Sequence, residues 1–342
     1  MTILRTDTVS GIGTEGTVFE GDITFDSPNY MTLPKGTTAQ ANRGRGLLIG
    51  GVQPSPTPGQ SINSITYIDI ASSGSDIVFG DLVQARYAAG AVSSSTRAIY
   101  GGGRTPTRVT TQDYVEIATT GKALDFGSMS QSIAYNPGVS NETRGLWMGG
   151  STPTDVGTID FVVISTTGSR ADFGDLKTGN ARSGGMTVGS PTRAVLMGGY
   201  ASGSYVATID YVQIASERDS TDFGSLTNNY GYGSGVSNGV RGIAGGGATS
   251  PSGDVNHMEY ITIATLSNAK DFGDLLYSRE HVGAVSNSIR GVWFGGVTPT
   301  YQTDIQYCII NTTGSAANWG DLSANIAKGY QSGASDSHGG LL

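Results

Sequence analysis

Residues Arg97–Met129, RAIYGGGRTPTRVTTQDYVEIATTGKALDFGSM, contain the pattern that decides the fold of the whole chain. The pattern starts with Arg and an apolar run, continues with a glycine doublet and an aromatic residue, and ends in a DFG-like motif. Related copies read RGLLIGG…ITYIDIASSGSDIVFGDL, RGLWMGG…IDFVVISTTGSRADFGDL, RAVLMGGY…IDYVQIASERDSTDFGSL, RGIAGGG…MEYITIATLSNAKDFGDL and RGVWFGG…IQYCIINTTGSAANWGDL. The aromatic residue of the last motif recurs with a mean spacing of about 48 residues, at Phe79, Phe126, Phe173, Phe223, Phe272 and Trp319.

A repeat of this length made of short β-like runs is typical of a β-propeller, whose blades are four-stranded sheets around a central channel. Six copies therefore predict an all-β, six-bladed propeller over residues 44–342. In the second copy we expect strand a at Ala88–Ser93, strand b at Arg97–Gly102, strand c at Asp113–Thr119 and strand d at Leu124–Met129. Turn-forming residues separate the strands, and Asn238-Gly239 is a strong hairpin signal.

The C-terminal stretch 332–342, SGASDSHGGLL, resembles a strand a and the start of a strand b. The first copy has no good strand a of its own. We therefore predict that Ser332–His338 pairs beside Arg45–Gly51, completes blade 1 and closes the ring, which removes an open sheet edge.

Glycine doublets and aromatic residues are expected to build the blades. The doublets end strand b, where a side chain would collide with the next blade or where the backbone needs a positive φ; they are Gly50-Gly51, Gly101-Gly102, Gly149-Gly150, Gly198-Gly199, Gly245-Gly246 and Gly295-Gly296. A second aromatic series lies in strand c, at Tyr67, Tyr114, Phe161, Tyr211, Tyr260 and Tyr307. Both aromatic series should pack between successive sheets.

Residues 1–43 lie outside the repeat and form a separate predicted unit, a short extended arm. Within it Thr17–Phe25 alternates apolar and polar residues, as a strand does. A segment of this size cannot build its own core, so it either packs on the propeller or, as we favour, adds to a sheet edge of another chain. The predicted partner-binding residues of the arm are Val18, Phe19, Ile23, Phe25 and Tyr30.

Composition narrows the class of partner. The net charge is −8, which argues against nucleic acid as the main partner. No apolar run is long enough to span a bilayer and no signal peptide is visible, so we expect a soluble protein made in the cytoplasm, without membrane insertion. A single cysteine, Cys308, excludes an internal disulfide.

The repeat resembles Kelch repeats, in which a glycine doublet after an apolar strand precedes two spaced aromatic residues. Kelch propellers share their fold with the central domain of galactose oxidase. Two features depart from the Kelch pattern: five copies have Phe where Kelch usually has Trp, and Gly follows in an FGDL motif. The RGhhhGG…DFGDL style, together with the VFEGDITF arm, is similar to Kelch-like virion structural proteins of tailed phages of marine cyanobacteria.

That resemblance implies a non-enzymatic head or tail component, of decoration or fibre type, localised to the virion. Its arm would dock on other virion proteins or on copies of itself. The alternative is a module that binds a host-surface glycan or receptor. Galactose oxidase chemistry would need a copper site, but His257, His281 and His338 occupy three different blade positions. We therefore predict no catalytic residues, no metal and no cofactor.

Two sets of residues are candidates for binding. The arginines that open strand b form a ring by symmetry, and each either contributes to an anion site or, as we favour, pairs with a nearby acid or carbonyl; they are Arg45, Arg97, Arg144, Arg193, Arg241 and Arg290. The d–a loops share one side of the disc with the variable b–c loops and carry Tyr and Arg, the usual anchors of binding surfaces. This candidate face comprises Arg86, Tyr87, Tyr135, Arg182, Tyr230, Tyr232, Tyr277, Arg279 and Tyr330. An Arg at the d–a position also recurs in Kelch repeats, so a structural role for Arg86, Arg182 and Arg279 remains open.

Overall fold

Six antiparallel sheets form a closed ring, and the chain folds as a six-bladed β-propeller. The computed structural model describes residues 44–54, 59–177, 179–251, 253–323 and 328–341. The arm with its predicted strand Thr17–Phe25, and the arm residues Val18, Phe19, Ile23, Phe25 and Tyr30, lie outside these residues.

Each blade has four strands, named a to d from the channel outward. Strands a are Gly90–Ser93, Gly138–Ser140, Met186–Gly189, Ser234–Ser237, Gly283–Ser286 and, for blade 1, Ser332–Ser335. Strands b are Arg45–Ile49, Arg97–Gly101, Arg144–Ser151, Arg193–Ala201, Arg241–Gly245 and Arg290–Phe294. Strands c are Ser64–Asp69, Thr107–Glu116, Asp155–Val163, Ser204–Gln213, His257–Thr262 and Asp304–Ile309. Strands d are Ile77–Asp81, Leu124–Ile133, Ala171–Asp175, Thr221–Ser225, Lys270–Asp274 and Ala317–Asp321.

Short hairpin strands decorate some of the b–c loops. They are Val52–Gln53 with Gln60–Ser61, Arg104–Thr105 with the start of strand c, Ala248–Thr249 with Gly253–Asp254, and Val297–Thr298 with Thr300–Tyr301. The described part of the chain contains a 3-10 turn at Gly339–Leu341, and none of its helices is long and apolar enough to cross a membrane.

The C-terminal strand closes the ring as predicted. Ser332–Ser335 pairs antiparallel with strand b of blade 1, with Leu47 opposite Ala334 and Ile49 opposite Ser332. The Asp336 carboxylate fixes the junction, because its Oδ1 accepts hydrogen bonds from the backbone N–H groups of Gly44 and Arg45 at 2.6 and 3.1 Å. Blade 1 is therefore built from both ends of the repeat array.

The hydrophobic core is divided into six clusters, each between two successive blades. In every blade the predicted strand-c aromatic meets the strand-d aromatic edge to face, with ring centres 5.5 to 6.2 Å apart. The strand-d rings are buried and the strand-c rings partly buried. The sequence motif thus supplies the inter-blade packing that was expected.

The glycine doublets meet both requirements stated for them, a positive φ and a close approach to the next blade. The predicted position of the doublet was wrong by one residue in two blades, where the positive-φ pairs are Gly102-Gly103 and Gly246-Gly247. In each blade the second glycine donates its N–H to a d–a loop carbonyl at 2.7 to 3.0 Å, as Gly51 does to Arg86. This bond ties every b–c loop to the neighbouring d–a loop.

Candidate ligand-binding face

Strands a line a central channel that holds a cavity of about 180 Å³. Its two ends differ in construction. At the end where strands a finish, the C-terminal turn Gly339–Leu341 lies against strands a of blades 4 and 5. There the Nε2 of His338 lies 3.0 Å from the carbonyl of Ser93 and 3.2 Å from the hydroxyl of Ser140. The other end, where strands a begin, is surrounded by the d–a and b–c loops.

Six residues at equivalent positions form a closed backbone ring around this second end. Each donates its N–H to the carbonyl of the equivalent residue in the preceding blade, at 2.6 to 3.2 Å. All six have φ between 53° and 60°. The six ring positions are Ala88, Tyr135, Gly184, Tyr232, His281 and Tyr330. The left-handed conformation explains why strand a of blade 2 begins at Gly90 and not, as predicted, at Ala88.

The residue types at the ring positions do not follow backbone preference. For a non-glycine residue, this left-handed conformation costs on the order of 1–2 kcal/mol relative to the right-handed one. Blade 4 has Gly184 there, where an added Cβ would overlap the ring of Tyr232. Three blades nevertheless place Tyr at this position, and one places His. Such strain at residues that share one surface points to a role for the side chains.

The four aromatic ring residues and three neighbouring tyrosines form one connected aromatic surface, which we call the aromatic plate. Ring contacts link its members with centres 3.8 to 6.1 Å apart, and His281 stacks on Tyr330 at the shortest distance. All are partly buried. The aromatic plate comprises Tyr87, Tyr135, Tyr200, Tyr205, Tyr232, His281 and Tyr330.

Burial keeps His281 uncharged around neutral pH and makes Tyr205, Tyr232 and Tyr330 harder to ionise. It lowers the pKa of His281 to about 3 and raises the pKa of both Tyr205 and Tyr232 to about 12. The pKa of Tyr330 is also raised, mainly by burial. The plate therefore presents neutral rings with hydroxyl groups, a surface suited to contact and hydrogen bonding.

Sequence reasoning found four members of the plate, Tyr87, Tyr135, Tyr232 and Tyr330. His281, which shares a d–a loop with Arg279, was not among the residues selected for the predicted face. Tyr200 and Tyr205 were missed because they lie where strands b and c of blade 4 meet, opposite each other in the pairing. The signal that could have found them was the prediction that b–c and d–a loops share one side. Isolated bridges between the two loop sets, such as Ser183 with Tyr200, confirm that prediction.

Four residues of the predicted face do not lie on the surface, because the fold buries them. Arg86, Arg182 and Arg279 are at most 1% exposed, and each pairs with a strand-c carboxylate. The pairs join Arg86 to Asp113 at 2.9 Å, Arg182 to Asp210 at 2.7 Å and Arg279 to Asp304 at 2.7 Å. The structural alternative therefore holds for these arginines. Tyr230 fills the same position in blade 5 and is fully buried.

Tyr277, the remaining predicted residue, is 58% exposed. Its ring centre lies 5.7 Å from the guanidinium carbon of Arg279, and it makes no ring contact with the plate in the described part of the chain.

The arginines that open strand b act as staples between blades. Each stacks over the strand-c aromatic of its own blade, with the guanidinium carbon 4.4 to 5.3 Å from the ring centre. Each also donates to a backbone carbonyl just after strand c of the next blade, as Arg193 does to Ile263 at 2.9 Å. The expected pairing with nearby carbonyls is confirmed. This engagement within the fold favours the structural alternative over the anion site.

The described residues contain no group of three or more His, Cys, Asp or Glu side chains that could hold a metal ion. Cys308 lies in strand c of blade 6, and burial raises the pKa of its thiol to about 12. Buried and protonated, it is a small core residue. The sequence prediction that no metal or cofactor is bound stays a prediction.

Comparison with protein-family models finds no match for this chain, and none of the curated proteins matches it.

Proposed function

We propose that the protein is a non-enzymatic binding protein that recognises a saccharide through its aromatic plate. The observation that carries the proposal is the residue choice at the ring positions. Tyr and His occupy strained left-handed positions where Gly184 shows that glycine is compatible with the fold. The extra strain is accounted for if the rings are retained for a ligand.

Saccharides suit such a surface on physical grounds. A sugar ring has an apolar C–H face, which packs on an aromatic ring, and hydroxyls that need hydrogen-bond partners. Tyr supplies a large rigid ring and a polar tip at low entropic cost. A binding site of this type combines aromatic walls with a few polar groups that fix orientation.

The test is a pair of substitutions that copy what blade 4 already has, Tyr135→Gly and Tyr232→Gly. Because glycine relieves the positive φ, both variants should fold, with melting temperatures close to that of the wild type. Binding to the saccharides retained by the wild-type protein on a glycan array should fall at least tenfold. Tyr277→Ala, which changes an exposed tyrosine outside the plate, serves as the control. Unchanged binding in both glycine variants would contradict the proposal.

A virion role is a second proposal, supported by the resemblance of the repeat and arm to phage Kelch-like structural proteins. The six-bladed fold is consistent with a Kelch-type propeller. In this proposal residues 1–43 dock the protein on other virion proteins and the plate faces outward. A fragment of residues 37–342 should stay folded but fail to incorporate into particles that the full chain enters. Incorporation of the fragment, or its unfolding, would exclude the arm as the anchor.

A further inference from the structure

Two arginines face each other beside the aromatic plate. Arg104 and Arg108 are directly opposed in the tight b–c hairpin of blade 2. Like charges directly opposite each other on neighbouring strands destabilise a hairpin, by roughly 0.2–1 kcal/mol. The chain as a whole has a net charge of −8, so this local concentration of positive charge runs against its composition.

Neither arginine pairs with a carboxylate within the described residues, where other arginines of this protein do. Arg108 donates from Nη2 to the hydroxyl of Ser151 at 2.8 Å. The guanidinium carbon of Arg104 lies 6.0 Å from the ring centre of Tyr87. The Nε atoms of both are shielded from solvent and have no hydrogen-bond partner among these residues. Within the part of the chain that the structure describes, neither charge is balanced by an ion pair.

The pair is continuous with the plate. The backbone of Arg104 exchanges two hydrogen bonds with that of Tyr87, at 2.9 and 3.2 Å. Burial raises the pKa of Tyr135, and Arg104 opposes this rise through a side-chain hydrogen bond to the Tyr135 hydroxyl and through its positive charge. Acidic groups also act on the plate: Glu280 and Asp254, of blades 6 and 5, act on Tyr205, and Asp155 of blade 3 acts on Tyr232. The arginine pair therefore gives the plate a positive edge at blade 2, and acidic groups border the plate at blades 3, 5 and 6.

We infer that the saccharide bound by the plate is anionic, with its acid group held by Arg104 and Arg108. The inference rests on the proposed saccharide binding and adds the ligand class to it. A guanidinium presents paired N–H donors that match the oxygens of a carboxylate or a sulfate ester. With the acid group on the arginines, the sugar ring lies over Tyr87 and Tyr135, and Glu280 disfavours the reverse orientation.

The experiment measures binding of three matched probes by calorimetry: trigalacturonate, its carboxyl-reduced counterpart trigalactose, and sulfated trigalactose. At least one acidic probe should bind more than tenfold tighter than trigalactose, and the preference should weaken with added salt. The acidic probe that binds shows whether a carboxylate or a sulfate ester is preferred. Arg104→Gln with Arg108→Gln should reduce its affinity to that of trigalactose without loss of thermal stability, because the substitutions remove a repulsion. Arg218→Gln, an exposed arginine of a c–d turn, is the matched control.

The possible failures are distinguishable. If trigalactose binds as tightly as the acidic probes and the double variant changes nothing, the anionic class is wrong and saccharide binding stands. If inorganic sulfate binds to the arginines but none of the three probes binds, the plate is not a saccharide site and both proposals fall. The same conclusion follows if nothing binds.

Discussion

Arginine shows how register decides the role of a residue type in this fold. At the start of strand b it staples two blades through a backbone carbonyl, as Arg193 does to Ile263. In the d–a loop it forms a buried pair, as Arg86 does with Asp113. Removing one partner of such a pair leaves an uncompensated buried charge and costs about 3–5 kcal/mol. In the b–c hairpin of blade 2, Arg104 and Arg108 lie beside the aromatic plate and pair with no carboxylate of the described residues, so they are available to a ligand of the plate.

His281 makes the stability of the propeller sensitive to acid. Burial lowers its pKa from 6.5 to about 3, so the folded state binds fewer protons than the unfolded state between these values. The contribution of His281 to stability is therefore complete above pH 6.5 and decreases as the pH falls toward 3, by about 1.4 kcal/mol per pH unit. His338, whose pKa is also lowered by burial, acts in the same direction. The carboxyls of Asp113 and Glu280, whose pKa values burial raises, act in the opposite direction.

Substituting His281 isolates its contribution from these other groups. His281→Phe keeps an aromatic ring against Tyr330 and removes the titrating group. We expect the free energy of unfolding, measured by urea denaturation, to fall less between pH 6.5 and 4.5 in the variant than in the wild type, by about 2–3 kcal/mol. His257→Gln, at a half-exposed position of strand c in blade 5, should follow the wild type. Equal pH dependence in all three proteins would show that His281 is not held neutral by the fold.

At the scale of the strands, the sequence was sufficient for blade number, strand order and ring closure. The repeat sets these features because each copy places the same turns, glycines and aromatic rings at the same offsets. Boundaries were less certain where the backbone leaves the β region. Ala88 was assigned to strand a, but its φ of 53° places it in the backbone ring instead. The doublets of blades 2 and 5 were misplaced by one residue because GGG offers two choices, and only the pairing with the next d–a loop distinguishes them.

Only part of the candidate face could be predicted from the sequence, because nearby positions of the same d–a loop differ in burial. In the d–a loops, residues two positions apart differ in environment: Tyr230 is buried in the core, while Tyr232 is partly buried in the plate. Residue type gives no indication of this difference, since Tyr occurs at both positions. Aligning the repeats separates the two positions, but the sequence does not show which of them faces the channel.

The molecule as a whole depends on its ring being closed. Every blade packs on two neighbours. Serine side chains near the ends of strands a also hydrogen-bond between adjacent blades around the channel. Ser335 donates from Oγ to the Ser286 carbonyl at 2.7 Å, and Ser93 donates to the Ser335 carbonyl at 2.8 Å. The C-terminal strand thus contributes to blade 1 and also to blades 2 and 6. The aromatic plate, assembled from five d–a loops and the b–c junction of blade 4, can be rigid only if this ring is complete.

Two C-terminal deletions separate ring closure from the covering of the channel end. Deleting residues 332–342 removes strand a of blade 1, exposes the edge of strand b and uncovers its buried Leu47 and Leu48. An unpaired apolar edge recruits other chains, so this variant should aggregate or unfold. Deleting residues 338–342 leaves the pairing of Ser332–Ser335 intact and removes only the turn against the channel end. That variant should remain monomeric in size-exclusion chromatography, with a smaller loss of melting temperature. If the longer deletion also stays monomeric and melts like the wild type, the C-terminal strand is not what holds the ring together.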